Sequence, residues 1–451
     1  MFDSLSETTL LEEMRGAQQT ERVAVARRLL AAGRLCQRRM ADVAEDDRAQ
    51  WCIDNWEAVA AEVGAELGIS RGRASAQMNY GVELLERLPR LGAVFAEGQV
   101  DFRVVAAMVF RTGLITDPDV LARIDSELSR RAGLWNTLSQ RRLTEVIDRW
   151  VAEFDPAAVR NVRSAEEERT VEFGEAHNGM VEFWGALRAA DAAVLERRLD
   201  QLAADAPRED TRTKAQRRAD ALVALAAGGV PGQSSPVIVH VLAEAATLRG
   251  ESDAPGYLPG YGTIAPAMLR ELSQRSRLRP LTRPELLRTE GRYRPSRALA
   301  EFIRCRDLHC RFPGCDKPAE VCDIDHTVPW HAGGPTHPSN LALLCRAHHL
   351  LKTFWCGDGG WTEVQRSDGT IIWTSPSGRT YTTTPGGPLF FPQLAESTAE
   401  LTLTGQAKDQ RAGRTLMMPT RRRSRAAERA ARISWERGLT EARWAADPPP
   451  F

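Results

Sequence analysis

Aromatic side chains are sparse, 6% of 451 residues, and there are only eight cysteines. No apolar run approaches the ~18 residues that mark a membrane span, so a membrane helix is not expected. A hydrophobic content of 43% suits a globular protein instead. The opening stretch, MFDSLSETTLLEEMRG, is acidic and lacks a basic segment followed by an apolar one, so no secretion signal is expected. The cysteines are not spread as a disulfide framework requires. Six of the eight lie between Arg304 and Gly357, together with six of the eight histidines. That clustering points to a reducing, cytoplasmic setting and to metal ligation. Proline is scarce in the first 230 residues, where only Pro89, Pro118, Pro156 and Pro207 occur, and the other 21 lie beyond.

Net charge is also missing: the formal sum is zero, but the charge is segregated. Arg270 to Arg311 holds twelve arginines against five acids, and Leu401 to Phe451 eleven Lys/Arg against five. The front of the chain is correspondingly acidic. Basic segments flanking a metal cluster suit a phosphate-backbone binder, because each neutralised phosphate releases counterions. Arg275, Arg277, Arg279 and Arg283 are therefore candidate nucleic-acid contacts, joined by Arg346 and Lys352 beside the cluster.

The length allows two or three domains. In the front half, Phe102, Val105 and Val109 repeat at helical spacing after Asp101, and Leu121, Ile124 and Leu128 after Asp117-Pro118. Strands are expected over 170–173 and 180–183, around Asn178-Gly179, and a third over Val237 to Leu242. Ala65 to Ser70, followed by Arg71, Gly72 and Arg73, fits either the turn of a DNA-reading helix-turn-helix or an ordinary helix corner. Ser296 is a helix cap, and Asp368-Gly369 marks a hairpin. The expected layout is a mainly helical domain over 1–249, a basic proline-rich linker over 250–295, a metal-binding module with a trailing hairpin over 296–390, and a basic disordered tail over 391–451.

Within the module, Cys310-x4-Cys315 forms a knuckle with Pro313-Gly314 at its turn, and Cys345-x2-His348 supplies a second ligand pair. Two such pairs make the closed tetrahedral arrangement of structural zinc, with His309 and Cys322 as substitutes. Cys36, Cys52, Cys305 and Cys356 have no partner spacing and read as free thiols. A second constellation follows: Asp325-His326 ending the strand-like VCDIDH, Asn340 after a Gly333-Gly334 loop, then His349 and Lys352. Strand alternation puts Asp325 and His326 on opposite faces, so they need not share a task. His331 and His337 read as exposed loop residues or phosphate contacts.

The order Cys-x4-Cys, Asp-His, Asn, Cys-x2-His-His-x2-Lys over residues 300–356 resembles the HNH endonucleases. Most of the chain also resembles a multicopy actinobacterial family that joins a helical domain of unknown function to a C-terminal HNH module. The phrases RFPGC, CDIDH and NL-x2-LCR-x-HH-x2-K carry that likeness. The resemblance implies an α+β protein: a mostly α-helical N-terminal domain with a small sheet, then a zinc-braced ββα-metal module. It implies His326 as general base, Asp325 and His349 as ligands of the catalytic metal, and Asn340 as the residue orienting the base or its loop. Cys310, Cys315, Cys345 and His348 would hold zinc. Many zinc-braced members carry Cys where this chain has His348, and the Cys-x2 spacing assigns His348 to zinc.

The reading expected on these grounds is an endonuclease that hydrolyses double-stranded DNA, leaving 5′-phosphate and 3′-hydroxyl ends. Mg²⁺ or Mn²⁺ would serve as catalytic metal, with Ni²⁺ or Co²⁺ as softer substitutes. The alternative is a non-catalytic zinc-knuckle DNA-binding or regulatory protein. Neither the DNA site nor the oligomeric state is legible in the sequence.

Overall fold

Short polar side chains start the front helices. In this computed structural model α1 runs Glu7–Ala41, α2 Asn55–Leu67, α3 Arg71–Glu86 and α4 Pro89–Ala96. They are followed by α5 Phe102–Arg111, α6 Pro118–Arg131 and α7 Gln140–Phe154. Asp54 accepts from Glu57 N at 2.9 Å, Asp101 from Arg103 N at 2.9 Å and Asp117 from Asp119 N at 2.8 Å, satisfying amides that a helix start leaves open. The structure describes all residues except 1, 3, 42–46, 161–168, 178–179, 205–209, 228–239, 260, 275, 283–287, 358, 400, 402–416 and 447–451.

The apolar stripes of most of these helices converge on one core that includes Leu29, Leu91, Phe95, Met108, Ile124 and Ile147, and α2 packs Val59 and Val63 with Cys36 and Met78 in a second. Two glycines let α1 and α3 touch backbone to backbone. A Cβ on Gly81 would meet Leu29 O at 2.0 Å, and one on Gly33 would meet Gly81 C at 2.4 Å. Only hydrogen fits there.

The compact units divide the chain differently from the expected boundaries at 249 and 295. Met1–Asn161 and Leu281–Phe451 form one unit, and Val162–Pro280 the other. In the second, β1 Thr170–His177 pairs antiparallel with β2 Met180–Ala186. Helices α8 Ala189–Ala204, α9 Lys214–Ala227 and α10 Ala245–Arg249 follow, then the small hairpin β3 Gly256–Leu258 with β4 Gly262–Ile264, and α11 Pro266–Gln274. Asn178-Gly179 lies outside the described residues, as do residues 237–239 of the third expected strand; His240 and Val241 are not in a strand, and Leu242 makes an isolated bridge to Tyr257.

In the first unit, α12 Arg297–Asp307 leads into the hairpin β5 Cys322–His326 and β6 Leu341–Cys345, then α13 Arg346–Phe354. A meander of β7 Thr362–Gln365, β8 Ile371–Thr374 and β9 Thr380–Thr383 follows. This meander docks on α2: Tyr381 OH donates to Glu66 at 2.9 Å and Ser377 N to Glu62 at 3.1 Å. Among the described residues no helix is long and apolar enough to cross a membrane.

The tail expected to be disordered carries α14, Arg425–Ala446. Its arginines find partners inside the molecule. Arg421 and Arg425 bind Asp54 at 3.1 and 3.2 Å, Arg425 also binds Glu57 at 2.6 Å, Arg429 pairs with Glu83, and Arg437 reaches Asp155 at 2.6 Å. Acidic front helices and basic tail thus neutralise each other, which composition alone reads as a solvated charge run. Asp54, Glu57 and Glu83 are buried; without the tail arginines Glu57 keeps Arg71 and Glu83 keeps Arg87, but Asp54 loses both of its cations and is left as uncompensated charge. Combined Arg421→Ala, Arg425→Ala and Arg429→Ala should cost about 3 kcal/mol or more, read by urea denaturation. A change within experimental scatter would show that α14 is dispensable to the front helices.

Candidate metal centre and active site

Cys310, Cys315, Cys345 and His348 come together with their ligand atoms all within 4.8 Å of one another. Tetrahedral zinc, with Zn–S bonds of ~2.3 Å, places its ligands about 3.8 Å apart, so this set fits the ion. His348 Nδ1 lies 3.4 Å from Cys310 Sγ and 3.3 Å from Cys345 Sγ, which makes it the ligating nitrogen. Its ring stacks on Phe312 at 4.1 Å, and Phe312 in turn meets Trp361 and Trp373. Thiols this crowded cannot all behave alike. Burial and neighbouring sulfurs push Cys310 up, whereas the Cys310 and Cys315 thiols hold Cys345 down as a thiolate. A divalent cation resolves that conflict by taking every sulfur as thiolate. His309 and Cys322 stay outside the set: His309 Nδ1 lies against Cys310 O, and Cys322 donates to Lys317 O.

The knuckle packs against the Gly68 corner. Gly314, at φ +73, approaches so closely that a Cβ would meet Ile69 O at 2.6 Å and Gly64 O at 2.9 Å. The turn between α2 and α3 is therefore a seat for the knuckle.

Beside the metal centre, β5 and β6 pair with Asp325 opposite Ala342. Alternation sends Asp323 and Asp325 toward α13. His349 Nδ1 lies 2.8 Å from Asp323 Oδ2, and its Nε2 lies 3.3 Å from Asp325 Oδ1. Asp323 can only accept, so Nδ1 donates and Nε2 is presented to Asp325. Two acceptors in contact need a proton or a cation between them. Burial alone would lower the His349 pKa, but Asp325 and Asp323 outweigh it and raise it. Asp325 is held at about 2, burial notwithstanding, by Lys352 and His349. Octahedral ligands at ~2.1 Å stand about 3 Å apart, so the Asp325–His349 edge fits a hard divalent ion with positions left for water and phosphate.

On the opposite face, His326 is only 5% exposed. Its Nε2 lies 2.9 Å from Thr336 Oγ1, which is 2.6 Å from Arg292 O. A carbonyl cannot donate, so the Thr336 hydroxyl gives its proton to Arg292 O and must accept from His326 Nε2–H. The neutral ring then carries its lone pair on Nδ1. Burial lowers the His326 pKa more than Asp325 raises it, with Lys352 adding to the lowering. Asn340, fully buried, clamps the intervening loop: Val328 N donates to its Oδ1 at 2.8 Å, and its Nδ2 donates to Val328 O and Pro335 O at 3.0 and 2.9 Å.

The candidate phosphate contacts fare unequally. Lys352, 10% exposed, is consumed internally: it binds Asp325 at 2.6 Å, Glu363 at 2.7 Å and the His326 carbonyl at 2.6 Å. It is a buried strut and cannot reach phosphate, because burial in an acidic cage suits a paired ammonium better than a bare one. Arg346 is exposed and lies 3.6 Å from Asp323. Arg277 and Arg279 are exposed but belong to the other compact unit, and Arg275 and Arg283 lie outside the described residues. Arg306 and Arg311, counted in the basic surplus, are buried around Asp307 at 2.8 and 2.9 Å. His337 is likewise buried, capping Ser339 N at 3.1 Å, while His331 is exposed as expected.

Asp323, Thr336 and Glu363 were not among the sequence candidates. Asp323 carried a usable signal, standing two residues before Asp325 on a strand. Glu363 had none, since β7 reaches Lys352 only through tertiary packing. Two outcomes test this geometry. Cys315→Ser should lower zinc content from about one ion per chain and destabilise the module, measured by metal analysis and melting. Asp323→Ala should weaken Mn²⁺ binding on the order of 10- to 100-fold in calorimetry while zinc stays bound. Unchanged Mn²⁺ affinity would remove Asp323 from the site.

Comparison with known proteins agrees with this arrangement. A family model described as a domain of unknown function (DUF222) matches residues 17–307, and one described as HNH endonuclease matches residues 305–354. The Mycobacterium tuberculosis (strain H37Rv) "Uncharacterized protein Rv3776" is 42% identical, covering 96% of this chain and 90% of its own length. "Uncharacterized protein Rv2100" of the same strain is 41% identical, covering 96% and 88%. More distantly, "Uncharacterized protein Rv1945" is 29% identical over 39% of each chain. No solved structure matches. The chain belongs to the DUF222 family and carries a C-terminal HNH endonuclease domain.

Proposed function

We propose that this chain hydrolyses DNA phosphodiester bonds with His326 as general base. The observation that carries the reading is the division of labour across β5. Asp325 and His349 converge on one side, oriented by Asp323, while His326 stands on the other with Thr336 fixing its ring. His326 Nδ1 takes a proton from the attacking water, and the Nε2–H bond to Thr336 keeps the ring oriented as it becomes cationic. A divalent ion at Asp325 and His349 would supply charge stabilisation for the phosphate and the leaving oxygen. Asn340 holds the loop behind the base, and the buried Lys352 fixes the outer oxygen of Asp325. Arg346 is the candidate phosphate contact that remains exposed on α13.

The test is incubation of the purified full chain with plasmid DNA and Mg²⁺ or Mn²⁺, with and without chelator. His326→Ala should lose on the order of 10²- to 10⁴-fold in rate while zinc content and folding stay as in the unaltered chain. Equal cutting by His326→Ala at saturating metal would sink the base assignment, and no metal-dependent cutting by the parent chain would favour the zinc-knuckle binding protein.

The pH profile gives a second check. A base whose pKa is lowered from 6.5 stays neutral until the solution is more acidic than that. At saturating metal the rate should therefore hold from neutral pH downward and fall only below the ordinary imidazole range. His349 shifts the other way, so metal affinity should weaken as pH falls through and below neutrality. An acid limb above the ordinary range at saturating metal would exclude a buried neutral His326 as base.

A further inference from the structure

The base is flanked by aromatic surface that no core needs. Tyr293 lies parallel to the His326 ring, centroids 5.3 Å apart at 13°, and Trp330 meets both rings edge-on at 6.4 and 5.9 Å. His326 is buried beneath them, yet Tyr293 remains 59% exposed and Trp330 37% exposed. In a chain this poor in aromatics, two large rings left open to water beside the proposed base are not explained by packing.

The Tyr293 platform is also held still. Its backbone is pinned by Thr336, whose hydroxyl donates to Arg292 O at 2.6 Å and lies 3.3 Å from Tyr293 O. Glu290 N donates to Thr336 O at 2.9 Å, and Ser296 N returns to the Glu290 carboxylate at 2.7 Å. The threonine that orients the base thus also sets the height of the aromatic ring above it. Arg292 and Arg294 flank Tyr293 in sequence and are exposed, supplying positive charge next to the rings.

We infer that Tyr293 and Trp330 form a stacking platform for an unpaired nucleobase next to the scissile phosphate, so that the substrate is single-stranded or locally unpaired DNA. The inference rests on the nuclease reading and sharpens it. Every base offers a π-face to an aromatic ring, but in a duplex both faces are occupied by neighbouring pairs. A platform centred 5–6 Å from the imidazole that activates the attacking water meets the base of the adjoining nucleotide only when that base has left the stack. Duplex DNA, the substrate expected from sequence, would leave the rings facing groove and backbone.

The experiment uses the full zinc-loaded chain without added Mg²⁺ or Mn²⁺, so that binding is read apart from cleavage. Anisotropy is measured with a fluorescein-labelled single-stranded oligodeoxynucleotide and with the same strand annealed to its complement. The single strand should bind more tightly. Tyr293→Leu should weaken single-strand binding by about 5- to 150-fold, the effect of losing one base–aromatic stack, while duplex binding changes little. Tyr293→Phe should keep the preference, and Trp330→Leu should reduce it, which guards against a fold defect in any one variant. Equal affinity for both forms, no binding of either, or equal weakening of both by Tyr293→Leu would overturn the platform. Plasmid cutting with Mn²⁺ and its loss in His326→Ala report the nuclease reading separately, so a nuclease without strand preference is distinguished from a chain that does not cut.

Discussion

Three sulfurs and an imidazole drawn to one buried point govern the architecture of the C-terminal module. They come from the loop after α12, the end of β6 and the first turn of α13. Thiolates so close repel one another unless a cation lies between them, so ligation of a divalent ion by this set would be coupled to folding. Because Cys345 ends β6 and starts α13, closing that site sets where the helix begins and which residues face β5. His348 turns to the sulfurs, and His349, one residue on, turns to Asp323 and Asp325. An ion held there would orient the Asp325–His349 pair without touching it.

The same centre joins the module to the front helices. Gly314 fits against the α2–α3 corner, Arg71 at the start of α3 feels the charge of Cys345 and Cys315, and the β7–β9 meander bonds to α2. Three thiolates around a zinc ion would leave net negative charge, which a nearby guanidinium would offset. The family of unknown function and the HNH domain are therefore structurally interlocked in this chain, and α14 strengthens the tie from the other end. The zero net charge has a physical meaning in this light. Much of the acid in the front half and the base in the tail is spent on internal pairing.

Parts of the site were legible because they are written in linear order at short range. The knuckle spacings name zinc ligands, and strand alternation separates Asp325 from His326, as the structure places them. Alternation also makes Asp323 a neighbour of Asp325, though nothing in the spacing shows that His349 is its partner. Lys352 illustrates the opposite case. Beside a run of histidines it reads as a phosphate contact, whereas the carboxylate of Glu363, brought in by β7, makes it a buried strut. Thr336 gains its role only because the segment before α12 folds back to present Arg292 O.

The sequence by itself determined the helix starts at Asp101, Asp117 and Ser296, the strand pair around Asp368-Gly369, the Cys310, Cys315, Cys345 and His348 set that fits zinc, and the order of the HNH residues. Caps, turns and knuckles act over a few residues, so their chemistry is complete within a short window. Tertiary structure alone decided which charges are surface and which are struts, that the Gly68 corner seats a knuckle, that the tail helix is bound to acidic helices, and that Tyr293 lies over His326. Those outcomes depend on burial and on partners far away in the chain, and an arginine or tyrosine carries no mark of either until the chain has closed around it.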